Sequence, residues 1–179
     1  MGRVAFVFPG QGSQQVGMGK DAFDTLDVAK STFEAADAAL GYPLTKLCFE
    51  GPEDELRLTR NTQPAIVTCS IALFRGLDAA FDVAAGHSLG EYAAHVAAGT
   101  ITFEDAVRLV HGRGTYMQEA VPVGVGAMAA ILKADTAIVE EVCAATEGVV
   151  EAVNYNGPGQ VVIAGTAEAV AAACVTLKA

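Results

Sequence analysis

Apolar residues alternate along the chain between short continuous runs and stripes at helical spacing. Residues 3–8 (RVAFVF) are a run stopped by Pro9-Gly10, which predicts a buried strand leading into a tight loop over 10–14. Helical spacing follows over 20–40 and 52–58. Asn61-Thr62-Gln63-Pro64 predicts another helix start, with Pro64 near the first turn and the helix running to about residue 80. Residues 81–85 form a second short apolar run, punctuated by Gly86-His87-Ser88-Leu89-Gly90. Residues 88–98 predict a helix closed by Gly99, and 103–120 predict another.

The pattern changes after Pro122. Strand-like stretches over 125–132, 149–154 and 160–164 alternate with helical stretches over 134–146 and 166–177. Asn156-Gly157-Pro158-Gly159 predicts the hairpin turn between the last two strands. The order β-α-β-β-α is a ferredoxin-like unit lacking its final strand. The expected organisation is therefore an α/β body over 1–121 and an incomplete ferredoxin-like subdomain over 122–179.

Composition narrows the function classes. The chain has 179 residues, 52% hydrophobic and 18% charged, so it builds a core and is not disordered as a whole. Lys and Arg number 11 against 21 Asp and Glu, giving 11 − 21 = −10, which argues against general nucleic-acid binding. No apolar run is long enough for a transmembrane helix, and the N-terminal run is too short for a signal peptide. Cys48, Cys69, Cys143 and Cys174 are far apart in sequence, which predicts reduced, partly buried thiols in a cytoplasmic protein. His87, His95 and His111 form no HExxH, so no metal site is expected.

Chemistry concentrates at three places. Gly86-x-Ser88-x-Gly90, between an apolar run and a helix, reads as a nucleophile elbow: the glycines permit a sharp turn that lifts the Ser88 hydroxyl out of the backbone. The alternative is a serine N-cap between two glycines. A serine nucleophile needs a proton acceptor and donors for an oxyanion; the Leu89 N–H is the natural first donor, and the glycine-rich loop around Gln11 is placed to supply a second. That loop is not a phosphate loop, because Gln14 and Asp21 break GxxxxGK[ST] and Gln15 breaks GxGxxG. Third, Arg113 falls on an apolar stripe with Ala106, Val110, Met117 and Ala120, opposite Glu104, Arg108, His111, Thr115 and Gln118. A guanidinium there calls for an anion: an internal carboxylate, a substrate carboxylate, or escape to solvent.

FVFPGQGSQ at 6–14, TQPA at 62–65, GHSLGEY at 86–92, the Arg113-Gly114 pair, AVPVGVGAM and NYNGPGQVVIAG occur in that order. Together they resemble the malonyl-CoA:acyl carrier protein transacylase family, of the free-standing fatty-acid synthase type. The resemblance covers nearly the whole chain. It implies an α/β hydrolase-like body with a parallel-sheet core and an inserted ferredoxin-like subdomain, both incomplete here. It also implies transfer of malonyl from coenzyme A to the phosphopantetheine thiol of acyl carrier protein through a malonyl ester on Ser88. Coenzyme A thioester is then a substrate, and no tightly bound cofactor is expected. Arg113 would hold the malonyl carboxylate, Gln11 and Leu89 N–H groups the oxyanion, and Gln63 and Met117 would line the pocket. His87 is not the base in this family, and Asn154 and Asn156 are weaker candidates for a channel wall than for a hairpin turn. The family's catalytic histidine follows the small subdomain, beyond Ala179, so this polypeptide alone is expected to be inactive, with apolar surface left exposed. An acidic carrier protein would require a local basic patch on a chain of charge −10. The alternatives are a serine esterase or thioesterase, and a non-catalytic fragment.

Overall fold

The computed structural model describes residues 2–178, a mixed α/β chain that divides into two compact units, one up to Glu119 and the other from Ala120. The outer ends of the expected 1–121 and 122–179 division lie outside the described residues.

In the first unit, β1 (Ala5–Phe8) and β2 (Val83–Gly86) pair in parallel, with Ala5 beside Val83 and Phe8 beside Gly86. Parallel pairing in this register delivers the loop after β1 and the turn after β2 to the same end of the sheet, although nearly eighty residues separate them in sequence. The His87 N–H continues the pairing by donating to the Phe8 carbonyl at 3.0 Å. Phe6 and Phe8 stand edge-on to Phe74, with ring centroids 5.3 and 6.0 Å apart, and so seat β1 on a long helix.

Between the strands run α1 (Lys20–Thr25), α2 (Asp27–Leu40), α3 (Leu44–Glu50), α4 (Glu53–Arg57) and α5 (Thr59–Leu77). After β2 come α6 (Gly90–Ala97) and α7 (Phe103–Ala120). Helix α5 is the axis of the core: residues 61–69 are all buried, packed among Phe33, Leu44, Leu56 and Phe103. Several expectations shift. The stretch 20–40 is two helices, because Leu26 turns extended (φ −126°, ψ 116°). Helix α3 follows Pro43, with Leu44 and Cys48 one turn apart and buried. Helix α5 starts at Thr59 rather than Asn61 and ends at Leu77, so Pro64 is its sixth residue. Pro64 has no N–H to offer the Arg60 carbonyl four residues back. His111 Nδ1, from α7, lies 3.0 Å from that carbonyl and donates to it.

The second unit has β3 (Gly126–Leu132), α8 (Thr136–Ala145), β4 (Val150–Gly157), β5 (Gln160–Thr166) and α9 (Ala167–Lys178). Its sheet is antiparallel in the order β3-β5-β4. Val139, Cys143, Val161, Ile163, Val170 and Ala173 form a separate core. Asp135 caps α8 by accepting from the Ala137 N–H at 2.8 Å, which places the helix start at 136 rather than 134. Strand β4 runs through Asn156 to Gly157, so the hairpin turn is shorter than expected.

Large apolar side chains stay exposed on both units, among them Val7 (74%) and Val83 (51%) on the paired strands and Met128 (62%) on β3. Among the described residues no helix is long and apolar enough to cross a membrane.

Candidate active site

Ser88 stands between the end of β2 and the start of α6, with φ +53°, in the left-handed region that residues with a Cβ avoid. Helix α6 therefore begins at Gly90, not at residue 88, and Ser88 is the tip of the turn rather than a helical residue. The turn is held by Gly90 N–H to His87 O at 2.9 Å and Glu91 N–H to Ser88 O at 3.2 Å. The flanking glycines are there for space. A Cβ on Gly86 would overlap the backbone carbonyl of Gly90, and a Cβ on Gly90 would meet Phe8 O at 2.5 Å and Pro9 O at 2.7 Å. The helix start is thus pressed against the end of β1. The Leu89 side chain is buried and anchors the turn, while the Ser88 side chain is exposed at its crest.

A single hydrogen-bonded chain runs away from Ser88. Arg113 Nη2 donates to Ser88 Oγ at 3.0 Å, and Arg113 Nη1 donates to Gln63 Oε1 at 2.6 Å. Gln63 Nε2 donates to Thr59 Oγ1 at 3.0 Å and approaches Met117 Sδ at 3.4 Å. Thr59 Oγ1 in turn donates to Gln11 Oε1 at 2.8 Å. Gln63 is fully buried, with every bond on its amide made inside the protein. Arg113 is half-buried and takes part in none of the ion pairs among the described residues, so no carboxylate among them serves as counterion to the cation beside Ser88. Among the described residues, no carboxylate fills the internal-partner role that the sequence left open for Arg113. The chain of contacts gathers Ser88, Arg113, Gln63, Met117 and Gln11, drawn from four separate segments, and adds Thr59.

Sequence reading missed Thr59 because it began the helix at Asn61. Starting α5 two residues earlier places Thr59 one turn from Gln63, at the spacing that brings side chains together. Helix α7 can approach this point because Gly114 has no side chain: a Cβ there would meet Thr59 O at 2.5 Å.

The loop over 10–14 is held by its own side chains, Gly12 N–H to Gln14 Oε1 at 2.8 Å and Ser13 Oγ to Gly10 O at 2.9 Å. Among the described residues, neither the Leu89 N–H nor the Gln11 N–H is engaged by a protein acceptor. The histidines are placed otherwise. The His87 ring lies against Gly10, where a Cβ would overlap its Nδ1. His95 Nε2 is 3.8 Å from Glu91 Oε1 on the exposed side of α6. His111, expected on a solvated face of α7, is joined to the Arg60 carbonyl and packs against Tyr42, with ring centroids 5.6 Å apart and the planes inclined at 50°. Asn154 and Asn156 lie on β4 in the second unit.

A serine hydroxyl raised on a strand-to-helix turn, with a cation at its oxygen and backbone N–H groups near by, is an arrangement that can form an acyl ester. The chain belongs to the acyl transferase domain family, whose profile matches residues 5–179. It is 54% identical over 185 aligned residues to malonyl CoA-acyl carrier protein transacylase of Escherichia coli, an alignment covering 100% of this chain and 60% of that protein. The Bacillus subtilis protein of the same name is 50% identical over 176 residues, covering 95% and 56%. Among solved structures, acyl-carrier-protein S-malonyltransferase from Burkholderia pseudomallei matches with a TM-score of 0.89 at 53% identity, covering 99% of this chain and 59% of that one. A malonyl-transacylase solved in complex with its type II acyl-carrier protein matches with a TM-score of 0.92 at 47% identity, covering 99% and 59%. The chain spans about 60% of the length of the curated relatives it matches.

Proposed function

We propose that the protein moves a malonyl group from coenzyme A to the phosphopantetheine thiol of acyl carrier protein, in cytoplasmic fatty-acid biosynthesis. Ser88 Oγ attacks the thioester carbonyl as a base takes its proton. The tetrahedral oxyanion is met by the Leu89 and Gln11 N–H groups. Its collapse expels coenzyme A, which regains a proton at sulfur, and leaves malonyl as an ester on Ser88. The carrier-protein thiol then attacks that ester and returns the proton to Ser88. The names of the relatives, and the carrier-protein complex of one of them, support this reading of donor and acceptor.

The observation that carries the malonyl assignment is the guanidinium of Arg113, which contacts Ser88 Oγ and Gln63 Oε1 and no carboxylate. An incoming malonyl carboxylate supplies the missing anion and draws Nη2 off the nucleophile, freeing the Ser88 oxygen. Acetyl has no such group and leaves the cation unmatched. His95 Nε2 faces Glu91 and His111 Nδ1 meets the Arg60 carbonyl, so neither ring is placed to take the Ser88 proton. Two finer fold assignments belong to the same proposal. The parallel β1·β2 pair with its serine turn supports a hydrolase-like body, and the antiparallel order β3-β5-β4 supports a ferredoxin-like subdomain.

Arg113→Ala tests the assignment. In the protein expressed from its complete reading frame, kcat/KM for loading Ser88 from malonyl-CoA should fall by about a hundredfold or more, since a charged hydrogen-bonded pair is lost. Loading from acetyl-CoA should change little. Equal losses for both donors would rule out the carboxylate clamp.

A further inference from the structure

We propose that Thr59 is a positioning residue that ties the Arg113 cation to the loop carrying the Gln11 N–H. This rests on the reading of Arg113 and Gln11 given under Proposed function. The argument is one of donor direction. A guanidinium has donors only, so the Gln63 atom facing Arg113 Nη1 at 2.6 Å must be its oxygen. The Gln63 nitrogen then points to Thr59 Oγ1 at 3.0 Å and must donate there. A threonine hydroxyl has one proton; as acceptor from Gln63 it directs that proton to Gln11 Oε1 at 2.8 Å. Every bond from Arg113 through Gln63 and Thr59 to Gln11 therefore points the same way, and a charge at one end polarises all of them.

Thr59 decides the orientation of a fully buried amide. Without its oxygen, Gln63 keeps only the Met117 sulfur as acceptor, a weak one at 3.4 Å, and loses its reason to present Oε1 to Arg113. Gln11 loses the bond linking its exposed loop to α5, 48 residues away. The two losses fall differently on substrates. A slack Gln11 loop weakens oxyanion support for any acyl group, whereas a misaligned Arg113 harms only an acyl group bearing a carboxylate. Thr59 accordingly acts on the choice of acyl group as well as on rate, without touching substrate.

The test compares Thr59→Val, which keeps the branched shape and removes the hydroxyl, with Thr59→Ser, which keeps the hydroxyl. Loading of Ser88 from malonyl-CoA and acetyl-CoA is measured in the protein expressed from its complete reading frame, with Arg113→Ala in parallel. Thr59→Val should lower kcat/KM for malonyl about tenfold and for acetyl no more than about threefold, the scale of one hydrogen bond at a charged group. Thr59→Ser should restore the malonyl-to-acetyl ratio to within about twofold of the parent. The acetyl reaction doubles as a check that Thr59→Val is folded. Parallel loss with both donors, an unaltered ratio, or no rescue by serine would overturn the role of Thr59. If Arg113→Ala shifts the ratio and Thr59→Val does not, the coupling fails and the clamp stands. If Arg113→Ala leaves the ratio unchanged, both readings fall.

Discussion

Ser88 holds a backbone conformation that costs a residue with a side chain about 1–2 kcal/mol, and it does so because its surroundings leave no other path. The turn is enclosed by backbone: Gly86 against the Gly90 carbonyl, Gly90 against the carbonyls of Phe8 and Pro9. Neither neighbour can rotate aside as a long side chain would. Gly90→Ala, with its Cβ 2.5 Å from Phe8 O, should therefore push α6 off the end of β1. We expect a loss of about 2–3 kcal/mol in urea unfolding and collapse of Ser88 acylation in the same protein. A variant with parental stability would show that β1 and α6 can separate freely, and that the elbow is not braced as described.

At the scale of elements, the relation between α5 and α7 is the more instructive one, since these two helices supply Thr59, Gln63, Arg113 and Met117. Pro64 leaves the Arg60 carbonyl without its helical donor, and His111 of α7 reaches it at 3.0 Å. One helix thus repairs a defect in the other, and the repair fixes their register next to the Gln63–Arg113 contact. A double-mutant cycle should expose this. His111→Ala should cost about 1 kcal/mol in the parent, where it orphans a carbonyl, and much less in a Pro64→Ala background, where residue 64 again has an N–H to offer. Equal cost of His111→Ala in both backgrounds, read from urea midpoints, would refute the repair. The same pair shows what sequence can and cannot disclose. The elbow is legible because GxSxG between an apolar run and a helix depends on local sterics, and Arg113 is legible because its place on an apolar stripe is a local periodicity. The bond between His111 and Arg60 is not, since the helical wheel puts His111 on a polar face and only tertiary packing brings α5 to it. Thr59 is hidden for a simpler reason: Asn61-Thr62-Gln63-Pro64 reads as the helix start, two residues after the true first residue of α5. Leu26 breaks a helix with neither glycine nor proline to announce it.

For the molecule as a whole, two separate apolar cores carry the structure, while the ion pairs among the described residues are exposed and contribute little. The first core also encloses ionisable groups in their neutral form. Burial pushes the Cys48 thiol from its ordinary 9.0 up to about 12, with Cys69 and Asp37 adding to the effect. Burial raises Cys69 from 9.0 to about 11 and the Tyr42 phenol from 10.0 to about 12, the latter with Cys48 contributing. Below pH 9 both folded and unfolded chains keep these protons, and stability does not depend on them. Above it the unfolded chain releases thiol protons that the folded chain retains. The folded state then binds more protons, and stability falls as pH rises. Each such group steepens the fall by about 1.4 kcal/mol per pH unit until its folded value is reached. Urea midpoints should hold steady from pH 7 to 8.5 and decline progressively from pH 9 to 11. Cys48→Ala/Cys69→Ala should start from a lower midpoint, because it leaves cavities beside Phe33 and α5, yet decline less steeply over the same range. An identical slope in the two proteins would mean that the thiols are reached by solvent in the folded state, and that the core around α5 is looser than its buried side chains indicate.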